Sequence, residues 1–189
     1  RIAARDSPIT EADLQADVYL LLTAGGLNLN DSQVARLEVG TGDGTRRRLD
    51  VEIGHCVIEL KRDLRTQGVR PDAEAQLAGY VETQTERLGT RYVGILTDGT
   101  DWYLYRLDQD HLVQVSELHL AAGAPDADRL LVWLEAILAT QEAVKPSPLE
   151  IERRLGADSP AHALDHGTLR SLYEQTSHAP EVSLKRDLW

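Results

Sequence analysis

The stretch from Arg46 to Arg62 constrains this chain more than any other, because its side chains alternate twice around a two-residue break. Leu49, Val51 and Ile53 share one face of an extended strand, with Asp50 and Glu52 on the other. After Gly54 and His55 the alternation resumes, with Cys56, Ile58 and Leu60 on one face and Val57, Glu59 and Lys61 on the other. Two alternating runs joined by two residues predict a β-hairpin, and glycine at the first turn position suits a type II′ turn. That turn sets a register in which Ile53 faces Cys56 and Asp50 lies opposite Glu59. Opposed side chains of an antiparallel pair stand about 5 Å apart at Cβ. Lys61, two residues beyond Glu59, points to the same face. Two carboxylates and an ammonium therefore converge. Like charges this close destabilise a hairpin, so the pair asks for a cation between them. Hard oxygen ligands of this kind suit Mg²⁺, bound through one or two carboxylates, water and a substrate phosphate. The plainer account is a solvated strand face whose Glu59–Lys61 pair contributes well under ~1 kcal/mol.

Asp50 followed by Glu59-Leu60-Lys61 resembles the Asp…(Asp/Glu)-X-Lys signature of the PD-(D/E)XK, or restriction-endonuclease-like, nuclease superfamily. The proline that precedes the aspartate in that family is replaced here by Leu49. Further on, Gln76 and Tyr80 stand four apart and share one helix face. A Gln-X-X-X-Tyr helix after the Glu-X-Lys strand resembles the branch that includes RecB-type nucleases and type I restriction motor subunits. The run from Ile95 to Tyr105 is similar to the strand pair that follows this helix in restriction-enzyme nuclease domains. The resemblance covers Thr10 to Ala143.

That resemblance implies an α/β sandwich of the restriction-endonuclease type, a central mixed β-sheet flanked by helices. It implies Mg²⁺, with Mn²⁺ as a substitute, held by Asp50, Glu59 and the backbone carbonyl of Leu60. Lys61 would orient or deprotonate the attacking water and stabilise developing negative charge. Gln76 and Tyr80 would contact the substrate or order the site, and the substrate would be double-stranded DNA. Arg48 and Arg62, beside the acidic pair, are the substrate-binding candidates. Similar nucleases carry an acidic residue on the first helix. Glu11 is the matching position and Asp17 the fallback, although a first-turn carboxylate favoured by the helix dipole explains Glu11 equally well. Likewise Tyr80 could simply pack with Leu77, Val81 and Leu88 while Gln76 is exposed.

In chain order, residues 1–8 form a lead-in. Thr10 to Asp13 fit a capping box that starts a helix with Leu14, Val18, Leu21 and Leu22 at helical spacing, ending near Gly25-Gly26. Val34 to Val39 predicts a strand and Thr41 to Gly44 a turn. Leu64 to Arg70 is polar and glycine-broken, a loop. Pro71-Asp72 opens a helix to about Arg87 with Asp72 as N-cap. Tyr92–Leu96 and Trp102–Leu107 predict a strand pair with Asp98 in the turn, and Val113–Val115 a short edge. Pro125-Asp126 starts a helix striped by Leu130, Leu131, Leu134, Ile137 and Leu138. Residues 1–145 are thus the expected nuclease domain. After a Lys145–Pro148 linker, residues 146–189 are the expected helical extension, its second helix opened by Ser159 and Pro160. This extension resembles the segment between nuclease and methyltransferase domains in bifunctional restriction–modification proteins. Methyltransferase or specificity domains or subunits are therefore expected partners.

Composition sets the outer limits. With 189 residues and 42% hydrophobic content the chain can bury a full core. No apolar run approaches the roughly 20 residues of a membrane span. A single cysteine, Cys56, excludes an internal disulfide and fits a reducing cytoplasm. The chain begins at Arg1 and contains no methionine, so it is expected to be a piece of something longer. Its six histidines show no zinc-ligand spacing. A net charge of −11 opposes a stand-alone nucleic-acid binder. Two features offset it: Arg46, Arg47, Arg48, Lys61, Arg62, Arg65 and Arg70 gather near the acidic pair, and other parts of a larger protein could grip the DNA. The competing expectation is a catalytically silent nuclease-fold module for DNA binding or assembly. No Gly-X-X-X-X-Gly-Lys-(Ser/Thr) loop occurs, so any motor would lie elsewhere.

Overall fold

A capping box starts the first helix. Thr10 Oγ1 accepts from the Asp13 N–H at 3.2 Å while Asp13 Oδ2 accepts from the Thr10 N–H at 3.0 Å, which satisfies two helix-end donors reciprocally. Helix α1 (Glu11–Ala24) buries Leu14, Val18 and Leu22 at four-residue spacing and ends at Gly25. The computed structural model describes residues 2, 10–25, 27, 35–40, 48–109, 111–121, 124–138, 147–159 and 162–176. The lead-in at 3–8, the turn at 41–44, Arg46, Arg47, Lys145 and Pro160 lie outside the described residues, as do the side chains of Arg48 and Leu49.

Strands β1 (Arg36–Gly40), β2 (Arg48–Ile53) and β3 (Cys56–Leu60) run antiparallel in sequence order. The β2–β3 register is the one the turn requires, with Ile53 opposite Cys56, Glu52 opposite Val57 and Val51 opposite Ile58. Gly54 takes φ +56°, the left-handed value that the first position of a type II′ turn demands. Backbone pairing stops at Val51–Ile58, one step short of Asp50 and Glu59. There the Leu60 N–H donates instead to Asp50 Oδ2 at 2.8 Å. A side chain has replaced the backbone partner where two carboxylates would otherwise stand face to face.

Helix α2 (Val69–Leu88) then carries the chain over the sheet to β4 (Val93–Thr97), which pairs with β3 in parallel. A parallel neighbour requires such a crossover. Strands β5 (Asp101–Asp108) and β6 (His111–His119) complete a six-stranded mixed sheet in the order β1-β2-β3-β4-β5-β6. Helix α3 (Ala127–Leu138) follows. The protein is therefore α/β, a mixed sheet flanked by helices.

One face of the sheet receives α2, whose Leu77, Tyr80 and Val81 join Val57, Leu96 and Tyr105 in a buried cluster. On the other face Val51, Ile58, Leu60 and Trp102 are equally buried. Helix α1 lies against β2 and β3, and Trp133 of α3 meets Trp102 edge-on with ring centroids 6.3 Å apart. Every residue of β3 is buried. It is covered on both sides, as is most of β4, and Glu59 is part of it.

Four expectations need correction. Helix α2 begins at Val69 rather than Pro71, and its N-cap is Gly68 at φ +84°, not Asp72, which instead serves the first turn of the helix. The loop expected from Leu64 to Arg70 is present but ends at Gly68, and its Leu64 side chain is buried in the α2 cluster. Strand β6 spans His111–His119 rather than three residues; most of it is exposed or half-buried, so its sequence carries little apolar pattern. In α3 the buried stripe includes Trp133 and not Leu131.

Residues 146–189 form a second compact unit. Helices α4 (Pro148–Leu155) and α5 (His162–Thr176) contact each other across a turn in which the Gly156 N–H donates to the Glu152 carbonyl at 2.9 Å.

Gly94 is the point of closest approach between α2 and the sheet. A Cβ there would lie 2.8–2.9 Å from three side-chain carbons of the fully buried Leu77. Gly94→Ala should destabilise the protein by about 1–3 kcal/mol through overpacking, measured by urea unfolding. Unchanged stability would show that α2 is not seated on the sheet this way.

Candidate functional site

Glu59 and Val57 share a face of β3, and Val57 packs under α2, so Glu59 also points to the α2 side of the sheet. Its side chain is fully buried. One carboxylate oxygen, Oε1, accepts from Lys61 Nζ at 2.6 Å. The other, Oε2, is buried with no hydrogen-bond partner among the described residues. Such a group is costly unless its charge is matched. The Glu59 pKa is pushed up to about 7, first by burial and then by the neighbouring Asp50 charge, with a smaller push from Glu11, while the Lys61 bond and charge act in the opposite direction. Burial tends to lower the pKa of Lys61. Its hydrogen bond to Glu59 and the charges of Glu59, Glu11 and Asp50 outweigh that, and the net shift is upward. Lys61 is thus held as a cation.

Helix α2 extends the site. Lys61 Nζ donates to Gln76 Oε1 at 3.4 Å, and Gln76 Nε2 donates to the Tyr80 hydroxyl at 2.8 Å. Glu59, Lys61, Gln76 and Tyr80 thereby form one chain of contacts. The Tyr80 ring packs in the core, as the plainer account expects, while its hydroxyl meets Gln76, which is exposed. Leu88 is not its neighbour in the core but about half exposed. Burial raises the Tyr80 pKa, the Gln76 bond works against that, and the charges of Glu59 and Asp50 add to it.

Helix α1 supplies the other wall. Glu11 Oε1 accepts from the Arg62 backbone N–H at 3.2 Å, so its carboxylate is tied to the segment after Lys61. Gln15, one turn along, donates from Nε2 to the Asp50 backbone carbonyl at 2.7 Å. Sequence reasoning passed over Gln15, although its four-residue spacing from Glu11 puts both on one helix face. Asp17, the fallback for Glu11, is half-buried on the same helix.

The chain matches no protein-family model, no curated protein and no solved structure. Function therefore has to be argued from this geometry.

A cleft of about 330 Å³ opens beside these residues, lined by Glu11, Arg62, Asp63, Thr66 and Val69. The arginines near it are not equivalent. Arg65 pairs with Asp63 at 3.0 Å. Arg70 pairs with Glu74 at 2.8 Å, donates to Gln114 at 2.6 Å and lies 3.9 Å over the Tyr103 ring. The expected basic cluster is thus partly neutralised by local partners. Cys56 is buried, and burial pushes its thiol pKa up, so it is core filler and not a nucleophile. Among the described residues no three His, Cys, Asp or Glu side chains form a metal-holding group.

The Glu59 shift predicts a pH dependence. Between the ordinary 4.5 and about 7 the native state holds a proton that the unfolded chain has lost. Wild-type stability should therefore fall as pH rises through that window, by up to about 3 kcal/mol. Glu59→Gln removes the dependence. In urea unfolding the variant should gain on wild type by that order between about pH 5 and about pH 8. An equal difference at both pH values would contradict the raised pKa.

Proposed function

We propose that residues 1–145 are a Mg²⁺-dependent endonuclease domain of the PD-(D/E)XK type, Gln-X-X-X-Tyr branch, hydrolysing double-stranded DNA within a restriction–modification protein. The observation that carries this reading is the contact chain Glu59–Lys61–Gln76–Tyr80 with Asp50 beside it, at the end of the central strand. A solvated strand face does not account for a fully buried Glu59.

The residues fit a hard divalent cation. The Asp50 charge raises the cost of ionising Glu59, and Glu59 Oε2 is a buried oxygen with no hydrogen-bond partner among the described residues. Two carboxylates, water and a phosphate suffice for Mg²⁺, so a three-carboxylate cluster is not required. Asp50, Glu59 and the Leu60 carbonyl would hold the ion, and Mn²⁺ would substitute. Bound there, it would polarise the scissile phosphate and lower the pKa of the attacking water. Lys61, held cationic beside Glu59, orients that water and offsets negative charge developing on phosphate. Gln76 fixes the Lys61 ammonium from one side, and Tyr80 fixes Gln76. Arg62 borders the adjoining cleft, where it would meet the substrate backbone; Arg48 remains a candidate for the same task. Glu11 acts through Arg62, whose backbone it holds. Methyltransferase or specificity domains would supply sequence recognition.

A second reading, a catalytically silent DNA-binding or assembly module, is favoured by the net charge of −11 and by the pairing of Arg65 and Arg70 with acidic neighbours. Among the described residues no helix is long and apolar enough to cross a membrane.

Lys61→Ala should abolish Mg²⁺-dependent cleavage of duplex DNA, a loss of roughly 100-fold or more, while far-UV circular dichroism stays that of wild type. Cleavage retained by this variant would overturn the assignment. Duplex binding across a salt series without cleavage by wild type would favour the silent module.

A further inference from the structure

Asp98 sits in the turn between β4 and β5, and its carboxylate is almost fully buried. Oδ1 accepts from the Thr100 N–H at 3.0 Å and the Asp101 N–H at 2.9 Å. Those two bonds complete the turn, and an asparagine or a serine oxygen would serve them equally. Oδ2 leaves the turn. It accepts from the Leu64 N–H at 3.1 Å, across the gap to the segment that follows Lys61. The turn alone therefore does not explain why a charged residue with two acceptor oxygens is buried here.

The segment it reaches is anchored at three backbone donors. The Lys61 N–H donates to the Thr97 carbonyl at 3.0 Å, the Arg62 N–H to Glu11 at 3.2 Å, and the Leu64 N–H to Asp98. Thr97 and Asp98 are adjacent, so the end of β4 holds both ends of the Lys61–Leu64 stretch. The turn itself is closely packed and hydrogen-bonded. Gly99 takes φ +84°, and a Cβ there would meet the Ile2 carbonyl oxygen at 2.2 Å. The Gly99 N–H donates to Thr97 Oγ1 at 2.9 Å, and Trp102 Nε1 donates to the Gly99 carbonyl at 3.2 Å.

We propose that Asp98 is a positioning residue for the Lys61 site: its carboxylate ties the closely packed β4–β5 turn to the segment after Lys61 and so sets where Lys61 and Arg62 stand relative to Glu59. The role in catalysis rests on the nuclease reading; the mechanical coupling does not.

The test uses the whole chain and Asp98→Asn, which keeps an acceptor for the turn donors but turns an NH₂ toward Leu64. NMR should show the Leu64 amide exchanging about ten-fold faster, as expected for loss of a charge-assisted bond. The Lys61 ζ-ammonium signal should move toward that of a free lysine, while the Thr100 and Asp101 amides stay as in wild type. If the asparagine variant does not fold, Asp98→Ser makes the same comparison, since its single oxygen still serves the turn. An unchanged Leu64 amide or an unchanged Lys61 signal overturns the proposal. On the same samples kcat for duplex cleavage should fall with KM within about two-fold; an unaltered kcat in a variant of a cleaving wild type also overturns it. If wild type does not cleave while both NMR changes appear, it is the nuclease reading that fails and the positioning role stands.

Discussion

A carboxylate with no accessible surface sits near the end of a strand whose residues are all buried. An isolated charge there would be expelled by protonation or by unfolding. Glu59 keeps one oxygen on Lys61 and leaves the other without a hydrogen-bond partner among the described residues, with Asp50 close enough to oppose its ionisation. The surrounding elements can be understood by how they meet this constraint. The hairpin stops pairing just before the two carboxylates and gives Asp50 a backbone N–H instead. Helix α2 brings Gln76 to the Lys61 ammonium, and helix α1 brings Glu11 and Gln15 to the backbone on either side. An arrangement that costs stability at neutral pH, and that is built from elements far apart in sequence, supports the functional reading proposed for it.

Electrostatics also bounds how such a site would meet DNA. The chain as a whole is acidic, and Arg65 and Arg70 already have carboxylate partners. Counterion release from a broad basic face therefore cannot be the main source of affinity for this chain alone. On the proposed nuclease reading, other parts of a larger protein would grip the duplex and this site would contribute local contacts through Lys61 and Arg62. Binding and cleavage would then be separable, and the silent module is the limiting case of the same architecture.

Local rules were enough for much of this. The Thr10 capping box, the Gly54 turn and the Ile53–Cys56 register depend on neighbours within a few residues, and the sequence carries them openly. The Asp50, Glu59, Lys61 convergence follows from that register; Gln76 and Tyr80 are picked out by the resemblance, with helix spacing placing them on one face. What could not be read is long-range. Asp98 is an ordinary turn residue until Leu64 is brought to its second oxygen. The start of α2 at Gly68 depends on a left-handed glycine, and on Leu64 being drawn into the core, which overrides the polar look of the preceding segment. Trp133 joins the core because Trp102 is there to meet it. Strand β6 lies at the sheet edge, where pairing with β5 sets its length and hydrophobic alternation does not.

The central claim is that Asp50 and Glu59 are built around a divalent cation. Melting temperature measured while Mg²⁺ or Mn²⁺ is titrated into wild type and Asp50→Ala tests it most directly, because a ligand that binds only the native state must stabilise it. The account predicts a rise with metal in wild type, by a few degrees at saturating concentrations, that disappears in the variant. An equal rise in both proteins, or none in wild type even with a duplex DNA present to supply phosphate, would contradict it.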